Sequence, residues 1–455
     1  MNKLLILGLA TTLVMPVAAK RAPKPVEVDS LGRKIKTGWN FGVLPSVAFD
    51  ADYGFQGGLL GNIYYYGDGK QYPEYIHSIY VEGAYTTKHH GIFRVNYDSK
   101  YLIPNHRLTL DATYIPDAMC DFFGFNGYQS LYNKDWSRGT YKFKRDLIRV
   151  AADIEGPFTK QQTSRTKNLK WNVGLGVLGY LVNDRPDSAA VDSKTLYERY
   201  QDWGLISQDE TKGGWHPYAR VGITFDTRDK RQGPNKGIWT DAFFTYNAAF
   251  NASYGQQAKA GFNNLQFNFT FRHYVSCFVD KKGVQRVTFA YRLGTQNLII
   301  GKTPFYMNNY LNTLFIQRVL YEGLGGGNSI RGMMCNRILA KGIAYANVEF
   351  RFRVVNFDIK HQHFYIGLNP FFDLGMVTQP YEISDELIAA HPEYFSQNKS
   401  DIYRPHMTAG VGLKIGMNEN FVLSADWAMP VNDKNYMNQD NNKIANFYVK
   451  MGYLF

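Results

Sequence analysis

The chain has 455 residues, a net charge of +12 and a mean hydropathy of −0.34, yet 16% of its residues are aromatic. After the N-terminal segment no stretch approaches the roughly 18 to 20 consecutive apolar residues that a transmembrane helix requires, which excludes a helical span there. The basic charge is spread along the chain and is not gathered in one tail or helix, so we expect no nucleic-acid partner. Polar average hydropathy combined with many aromatic residues is typical of a transmembrane β-barrel, whose strands face lipid on one side and water on the other.

The N-terminus has the pattern of a secretory signal peptide, residues 1–19. Lys3 precedes an apolar run from Leu4 to Val14, and Val17-Ala18-Ala19 supplies the small residues that a signal peptidase requires. We expect cleavage after Ala19. Residues 20–37 then form a basic, proline-bearing periplasmic tether that is too short to fold as a domain.

Residues 38–455 contain sixteen segments of about ten residues in which apolar and polar side chains alternate. They predict an all-β protein, a 16-stranded antiparallel transmembrane β-barrel of the outer-membrane type. The alternative is a secreted soluble β-sandwich, but we find no linkers between the three domains that this length would imply. The predicted strands cover residues 39–49, 56–66, 76–88, 91–102, 107–122, 141–156, 169–183, 215–228, 237–250, 263–278, 284–300, 342–357, 364–378, 404–416, 420–431 and 445–455.

The alternation also assigns the faces of the strands. Glu349 and Arg351 alternate with apolar residues, and a basic residue on the lipid face at the bilayer centre costs about 2–4 kcal/mol, so these charges must face the lumen. The basic excess then lines the lumen or contacts anionic lipid headgroups. The last strand places five apolar residues on the lipid face, namely Phe447, Val449, Met451, Tyr453 and Phe455.

The connections alternate in length. Long segments follow the odd strands (123–140, 184–214, 301–341 and 379–403), whereas most segments after even strands are short; 157–168 is an exception. Since bacterial barrels have short periplasmic turns and longer outer loops, we expect an outer-membrane protein with both termini in the periplasm.

The longest loop, about 301–341, carries Gly-Leu-Gly-Gly-Gly-Asn-Ser-Ile-Arg-Gly-Met from Gly323 to Met333, and strands with Val348-Glu349-Phe350 and Phe372-Asp373-Leu374 follow it. With the turn Asp226-Thr-Arg-Asp229 and the terminal Phe455, this order resembles the BamA/TamA-type outer-membrane assembly-factor superfamily, also called the bacterial surface antigen family. The resemblance covers essentially all of the chain after the signal peptide.

The resemblance implies that the loop folds into the lumen and that its arginine, Arg331, meets the acidic residues Glu349 and Asp373 on the inner wall. Glycines of the loop, Gly325, Gly326, Gly327 and Gly332, would let the backbone pass close to the wall. Met333 departs from the aromatic residue usual in the family. The periplasmic polypeptide-transport-associated (POTRA) domains that receive client chains are missing from this sequence, so a partner would have to supply client recognition.

The lateral seam between the first and last strands is the second candidate site. It contains Gly42, Pro45, Gly452 and Phe455, and a proline cannot donate a hydrogen bond to the ladder. In the resembled family a weak seam opens to let client strands add by β-augmentation. The alternative is a closed seam in which Pro45 marks a rim or a bulge.

No enzyme signature, cofactor motif or metal-ligand spacing is found, and we expect neither catalysis nor a bound metal. The pairs His89-His90 and His361/His363 are expected to be solvent-exposed turn residues, and Cys120, Cys277 and Cys335 to be filler.

Two functional hypotheses follow. The first is insertion or translocation of outer-membrane proteins or lipids through the seam or a loop-gated lumen, with client polypeptides or lipids, the bilayer, and periplasmic or outer-membrane proteins as partners. The second is a passive solute channel or a structural barrel, in which the Arg331 loop is a fixed plug.

Overall fold

The structure is a computed structural model that describes residues 35–50, 53–72, 74–159, 167–184, 194–230, 233–248, 252–253, 256–257, 261–281, 283–308, 323–359, 362–417, 421–431 and 445–455. The predicted signal peptide and all but the last residues of the predicted tether lie outside these ranges. Both therefore stay predictions.

Sixteen strands form one antiparallel sheet that closes on itself, because the first strand pairs with the second on one side and with the last on the other. This confirms the predicted 16-stranded barrel. The strands are β1 (Trp39–Asp50), β2 (Gly54–Tyr65), β3 (His77–Thr86), β4 (Gly91–Ile103), β5 (His106–Ile115), β6 (Lys142–Pro157), β7 (Leu169–Asn183), β8 (Gly213–Asp226), β9 (Gly237–Asn247), β10 (Asn264–Val279), β11 (Gln285–Gly301), β12 (Gly342–Ile359), β13 (Gln362–Gln379), β14 (His406–Met417), β15 (Phe421–Pro430) and β16 (Asn446–Met451).

Side chains alternate between the lumen and the outer face as the sequence predicts. In β12, Glu349 and Arg351 are buried inside the barrel, whereas Phe350 between them is 43% exposed on the outside. The inner wall carries arginines that bond acids on nearby strands: Arg94 and Arg149 bond Asp111 on the adjacent strand, Arg272 bonds Asp241 on the adjacent strand, and Arg220 of β8 reaches across β7 to Asp153 of β6. Part of the basic charge thus faces the lumen. Among the described residues no helix is long and apolar enough to span a bilayer.

Two strands end well before the predicted residue, whereas the other strand ends agree with the prediction to within three residues. The predicted fifth strand, 107–122, ends at Ile115 because Pro116 follows and has no N–H to continue the ladder; Cys120–Asp121 instead forms a separate short strand beside β6. The predicted last strand, 445–455, ends at Met451.

Four long connections lie at one end of the barrel and pack into a single apolar cap. They follow β5, β7, β11 and β13 and contain the helices α1 (Leu196–Asp202), α2 (Phe305–Asn308) and α3 (Asp385–Ala390), with 3-10 turns at Gly127–Gln129, Arg138–Tyr141, Gln208–Glu210 and Lys399–Tyr403. The rings of Phe122 and Tyr200 meet edge to face at 5.0 Å, and those of Phe125 and Tyr381 stack at 4.1 Å. The cap therefore has a hydrophobic core of its own above the lumen.

Polar groups of the cap are also paired across loops. Glu210 accepts a hydrogen bond from the backbone N–H of Phe305 at 2.8 Å, and burial raises the pKa of its carboxyl above the ordinary value. Burial likewise raises the pKa of the Tyr200 hydroxyl to about 12, against the opposing effect of its hydrogen bond to Ser130. Both groups are hydrogen-bonded within the cap, as a dry loop core requires.

Candidate functional site: the lumenal loop and the seam

Residues 323–341, which we call the lumenal loop, lie inside the barrel. Leu324, Ile330 and Met333 have no exposed surface and pack in one cluster with Ile343 of β12 and Val377 of β13. Met333 thus fills the position where an aromatic residue was expected. Because thioether side chains adapt to irregular gaps, the loop packs without an aromatic residue there.

Glycines allow the loop to turn this tightly. Gly325, Gly326 and Gly332 have φ values of +119°, +85° and +87°, which L side chains rarely adopt. The hydroxyl of Ser329 accepts a hydrogen bond from the N–H of Gly325 at 2.9 Å and closes the turn. A Cβ atom at Gly327 would meet the ring of Tyr448 and the carboxylate of Asp50, so the loop passes directly beside β16 and β1.

Arg331 is fully buried and bonds both acids that the sequence paired with it. Its Nε and Nη2 donate to the two carboxylate oxygens of Asp373 at 2.8 and 2.9 Å, and its Nη1 donates to Glu349 at 2.7 Å. Its backbone N–H also donates to Asp373, at 3.0 Å. The planar fork of the guanidinium matches the carboxylate of Asp373, and the loop is fixed to two neighbouring strands at once.

An aromatic ring completes the pocket of the arginine. The guanidinium carbon of Arg331 lies 3.4 Å from the ring centroid of Phe371, which faces the lumen from β13 directly opposite Glu349. A desolvated cation over a ring is stabilised by the ring quadrupole, in addition to its ion pairs.

The charge cluster extends further than the sequence indicated. Asp426 of β15 lies 3.6 Å from Arg331 and receives a bond of 2.5 Å from Lys414 of β14. On the other side, Arg351 donates to the second oxygen of Glu349 at 3.0 Å. Charges from four strands, β12 to β15, therefore converge on the lumenal loop.

The loop is also bonded to the last strand. The N–H of Gly332 donates to the hydroxyl of Tyr448 at 3.2 Å, and the ammonium group of Lys450 donates to the carbonyl of Gly327. Lys450 in turn lies 3.6 Å from Asp426. The lumenal loop thus contacts one of the two strands that form the seam.

The seam between β1 and β16 has a single register pair within the described residues, Phe49 with Val449. By contrast, β1 is paired with β2 along its whole length, from Trp39 to Asp50. Among the residues that the structure describes, no strand residue pairs with Trp39–Ser46 on the β16 side, and Phe41 and Val43 are 81% and 68% exposed. Gly42 lies within this unpaired stretch, which we call the open edge of β1.

The backbone of Pro45, which lacks an N–H donor, points away from β2 and toward the open edge. Phe55, the β2 partner of Phe49, bonds Thr87 on its other side, so Phe49 directs its own N–H and carbonyl away from β2. Directions alternate along a strand, and Pro45, four residues earlier, points the same way. The proline therefore leaves the β1–β2 ladder intact and removes a donor from the seam.

Phe455 is not in the seam, contrary to the prediction. Gly452 adopts φ +82°, and the chain turns into the lumen after it. Phe455 lies 6.2 Å from the ring of Tyr274, and Arg351 donates to its carbonyl oxygen at 2.8 Å. Gly452 is at the seam, but it ends the strand.

The other candidate residues form no site among the described residues, where no cluster of three or more possible metal ligands occurs. His90 is buried, not exposed as expected: its ring stacks on Tyr53 at 4.3 Å and lies near Asp117. His363 is partly exposed beside Asp358, and His361 lies outside the described residues. Cys120 and Cys335 are buried thiols, and Cys277 is exposed.

A family model described as the Omp85 superfamily domain matches residues 96–455. A comparison with curated protein sequences finds no match.

Among solved structures, the chain is similar to BamA from Haemophilus ducreyi lacking POTRA domains 1-3, with a TM-score of 0.53 and 14% identity over 92% of this chain and 71% of that one. It is also similar to CdiB from Acinetobacter baumannii, with a TM-score of 0.46 and 12% identity over 92% of this chain and 60% of that one. At these identities the likeness to BamA shows a shared barrel fold. Because the family model covers well over half of the chain, the chain belongs to the Omp85 superfamily.

Proposed function

We propose that this outer-membrane barrel inserts or translocates outer-membrane proteins or lipids through its lateral seam. The observation that carries the proposal is the open edge of β1, Trp39–Ser46. The last strand, β16, pairs with β1 through one residue pair, Phe49 with Val449. Natural proteins cover or blunt exposed strand edges, because unpaired N–H and carbonyl groups attract other strands. An edge left open in an outer-membrane barrel is suited to accept a client strand by β-augmentation.

The lumenal loop and the cap support a lateral route over an axial one. The cap covers the loop end of the lumen with an apolar core, and the lumenal loop occupies the space below it. Both features weigh against the alternative, a passive solute channel, which needs a continuous aqueous path. In this proposal the Arg331 cluster holds the wall from β12 to β15 rigid while the seam strands rearrange.

The proposal requires partners. We propose that periplasmic or outer-membrane proteins deliver the clients, that both termini face the periplasm, and that the chain itself carries out no chemical reaction. In this orientation Lys36, just before β1, would lie on the partner side.

A reversible disulfide across the seam tests the proposal. Phe49 and Val449 are directly opposed, so the variant Phe49→Cys/Val449→Cys, with Cys277→Ser, is expected to lock the seam when oxidised. We expect oxidised cells to lose growth and outer-membrane protein assembly, a reductant to restore both, and solute conductance to stay unchanged.

The matched control is Phe41→Cys/Ile63→Cys, which links β1 to β2 at an already paired level. It is expected to leave growth and assembly unaffected. If the locked seam has no phenotype while deletions in the lumenal loop change solute conductance, the channel hypothesis is correct instead.

A further inference from the structure

Basic residues are concentrated in the turns at the end of the barrel opposite the cap, on one half of its circumference. Four consecutive turns contain ten lysines and arginines but two acidic residues. These turns are 158–168, 227–236, 280–284 and 360–361. The three other turns at this end contain one basic and three acidic residues; they are 66–76, 104–105 and 418–420. The excess of positive charge therefore belongs to the wall from β6 to β13, away from the seam.

The cap at the other end has no such excess. By sequence its connections contain 16 acidic and 13 basic residues; they are 116–141, 184–212, 302–341 and 380–405. Two of its exposed lysines are also paired, because Lys194 lies 2.6 Å from Asp202 and Lys399 lies 2.7 Å from Asp385. A general need for solubility would not explain why basic residues prevail at one end alone.

Three described lysines of the basic turns are exposed and lack a counter-ion. Lys167, Lys236 and Lys281 form no ion pair with any residue that the structure describes, whereas Arg228 bonds Asp226 at 2.8 Å. We call these three lysines the basic rim. An ammonium group is a compact, hydrated point charge, so each of the three can bind an external anion.

The basic rim lies at the boundary of the apolar outer wall. Phe278 and Val279, at the end of β10, are 56% and 48% exposed, and Lys281 follows two residues later. Phe158, which is 51% exposed, follows β6, and Lys167 precedes the adjacent strand β7. Exposed apolar side chains on the wall of a membrane barrel face acyl chains, so a lysine beside them lies at the depth of the lipid headgroups.

We propose that the basic rim binds the headgroups of anionic phospholipids in the leaflet at this end of the barrel. The identity of the leaflet rests on the proposed function: with both termini in the periplasm, it is the periplasmic leaflet. The arrangement favours lipid over an acidic protein, because the basic turns follow the perimeter of the barrel and Lys167 and Lys281 adjoin the lipid-facing wall. Clustered lysines beside a bilayer are attracted to anionic headgroups in this way.

The distribution of charge divides the barrel into two halves. The wall from β6 to β13 is attached to anionic headgroups through its turns, whereas the half that contains the seam has no excess of basic residues at this end. Because screening limits such attraction to roughly 8–10 Å at physiological salt, it acts on the turns themselves and not on the distant seam. The bilayer therefore holds the wall opposite the seam more firmly than the seam strands.

The lipid selectivity of the purified, reconstituted protein tests the proposal. Bilayers of phosphatidylcholine contain a trace of spin-labelled phosphatidylglycerol or, in a parallel sample, of spin-labelled phosphatidylcholine. Electron paramagnetic resonance then measures the fraction of each label that is immobilised at the protein. We expect phosphatidylglycerol to associate roughly threefold or more strongly than phosphatidylcholine at low salt, and the preference to disappear at high salt, which screens surface charge.

A triple variant removes the basic rim and leaves the lumen and the seam unchanged. Lys167→Gln/Lys236→Gln/Lys281→Gln is expected to bind the two labels about equally at low salt, because the ammonium groups that attract the phosphate are lost. Heat-modifiable mobility on gels checks that the variant is folded.

The matched control removes three exposed lysines of the cap and therefore the same charge. Lys134→Gln/Lys194→Gln/Lys399→Gln should keep the native preference for phosphatidylglycerol. A folded control with native selectivity shows that position, and not net charge, determines the binding.

The proposal is wrong if the native protein binds both labels equally at low salt, and an acidic protein would then be the better candidate for the basic rim. It is also wrong if the rim variant keeps the preference, or if the cap variant loses it to the same extent. Because no client is present and no seam residue is changed, a negative result here leaves the growth test of the seam unaffected, and the reverse also holds.

Discussion

Arg331 fixes the lumenal loop to the inner wall of the barrel. It is buried among three carboxylates, those of Asp373, Glu349 and Asp426, and it bonds the first two directly. Burial of ions is costly unless every group is bonded, so loss of this cation would leave the acids with Lys414, Lys450 and Arg351 as counter-ions.

Arg331→Ala is expected to destabilise the folded barrel by about 3–5 kcal/mol, the range for breaking a buried ion pair from one side. The measurement is the temperature at which the folded, fast-migrating form is lost on gels. Arg331→Lys keeps the charge but lacks the planar guanidinium fork, so its unfolding temperature should lie between those of Arg331→Ala and the native protein. An unchanged unfolding temperature in Arg331→Ala would show that the loop does not depend on this pair.

Arg337 joins the lumenal loop to the cap. It is fully buried and donates to the carbonyl oxygens of Gly127 and Ser130 at 2.9 and 2.8 Å. Arg337→Met should cost about 2 kcal/mol or more, because bonds from a charged donor are lost in a dry interior.

The expected result of Arg337→Met is faster cleavage of the cap loops by an added protease, with the barrel strands still resistant. Arg404→Met, at a partly exposed arginine of the same cap, is the control and should leave cleavage unchanged. Equal resistance of Arg337→Met and the native protein would contradict the assigned contact.

At the scale of residues, the alternation of polar and apolar residues predicts which strand side chains face the lumen. Alternation places Glu349 and Asp373 in the lumen, and the family resemblance adds Arg331 as their partner. Asp426 and Lys414 lie on inner faces as well, but alternation alone does not indicate which inward charges meet, because that depends on strand tilt and on the path of a loop. His90 was misassigned, since a turn residue is buried only if another loop packs over it.

At the scale of elements, β1 differs from the other strands by its open edge. Pro45→Val would restore an N–H that points toward β16, and we expect a gain of about 0.5–1.5 kcal/mol for the closed seam if a partner is reached. Hydrogen exchange should then slow in the segment Trp39–Val47, and client assembly should fall.

The control is Leu44→Val, which changes the neighbouring side chain and adds no donor. It should leave exchange in the open edge unchanged. If Pro45→Val exchanges as fast as the native chain, the proline is not what limits pairing at the seam.

Element boundaries show where local rules succeed and where they fail. The end of β5 at Ile115 follows from Pro116 and could be predicted. The end of β16 at Met451 could not, because Gly452 fits both a strand and a bend, and the choice depends on Arg351, which is distant in sequence. Tertiary contacts decide such cases.

At the scale of the molecule, the barrel is closed by the cap at one end and is nearly unpaired along one seam. The cap was not predicted, since its core joins four loops that are far apart in sequence and carry no periodic pattern. Together these features leave the seam as the place where the sheet can open with the fewest bonds broken.

Site-specific photo-crosslinking from the open edge tests this most directly. One variant carries a photoreactive residue at Phe41, and the other carries it at Leu175, which is 61% exposed on β7 away from the seam. Each variant is mixed with a newly synthesised, labelled outer-membrane barrel protein. A lateral route predicts adducts between Phe41 and the labelled client and none from Leu175. Equal labelling from both positions, or none from Phe41 while the client still assembles through this protein, would contradict the account.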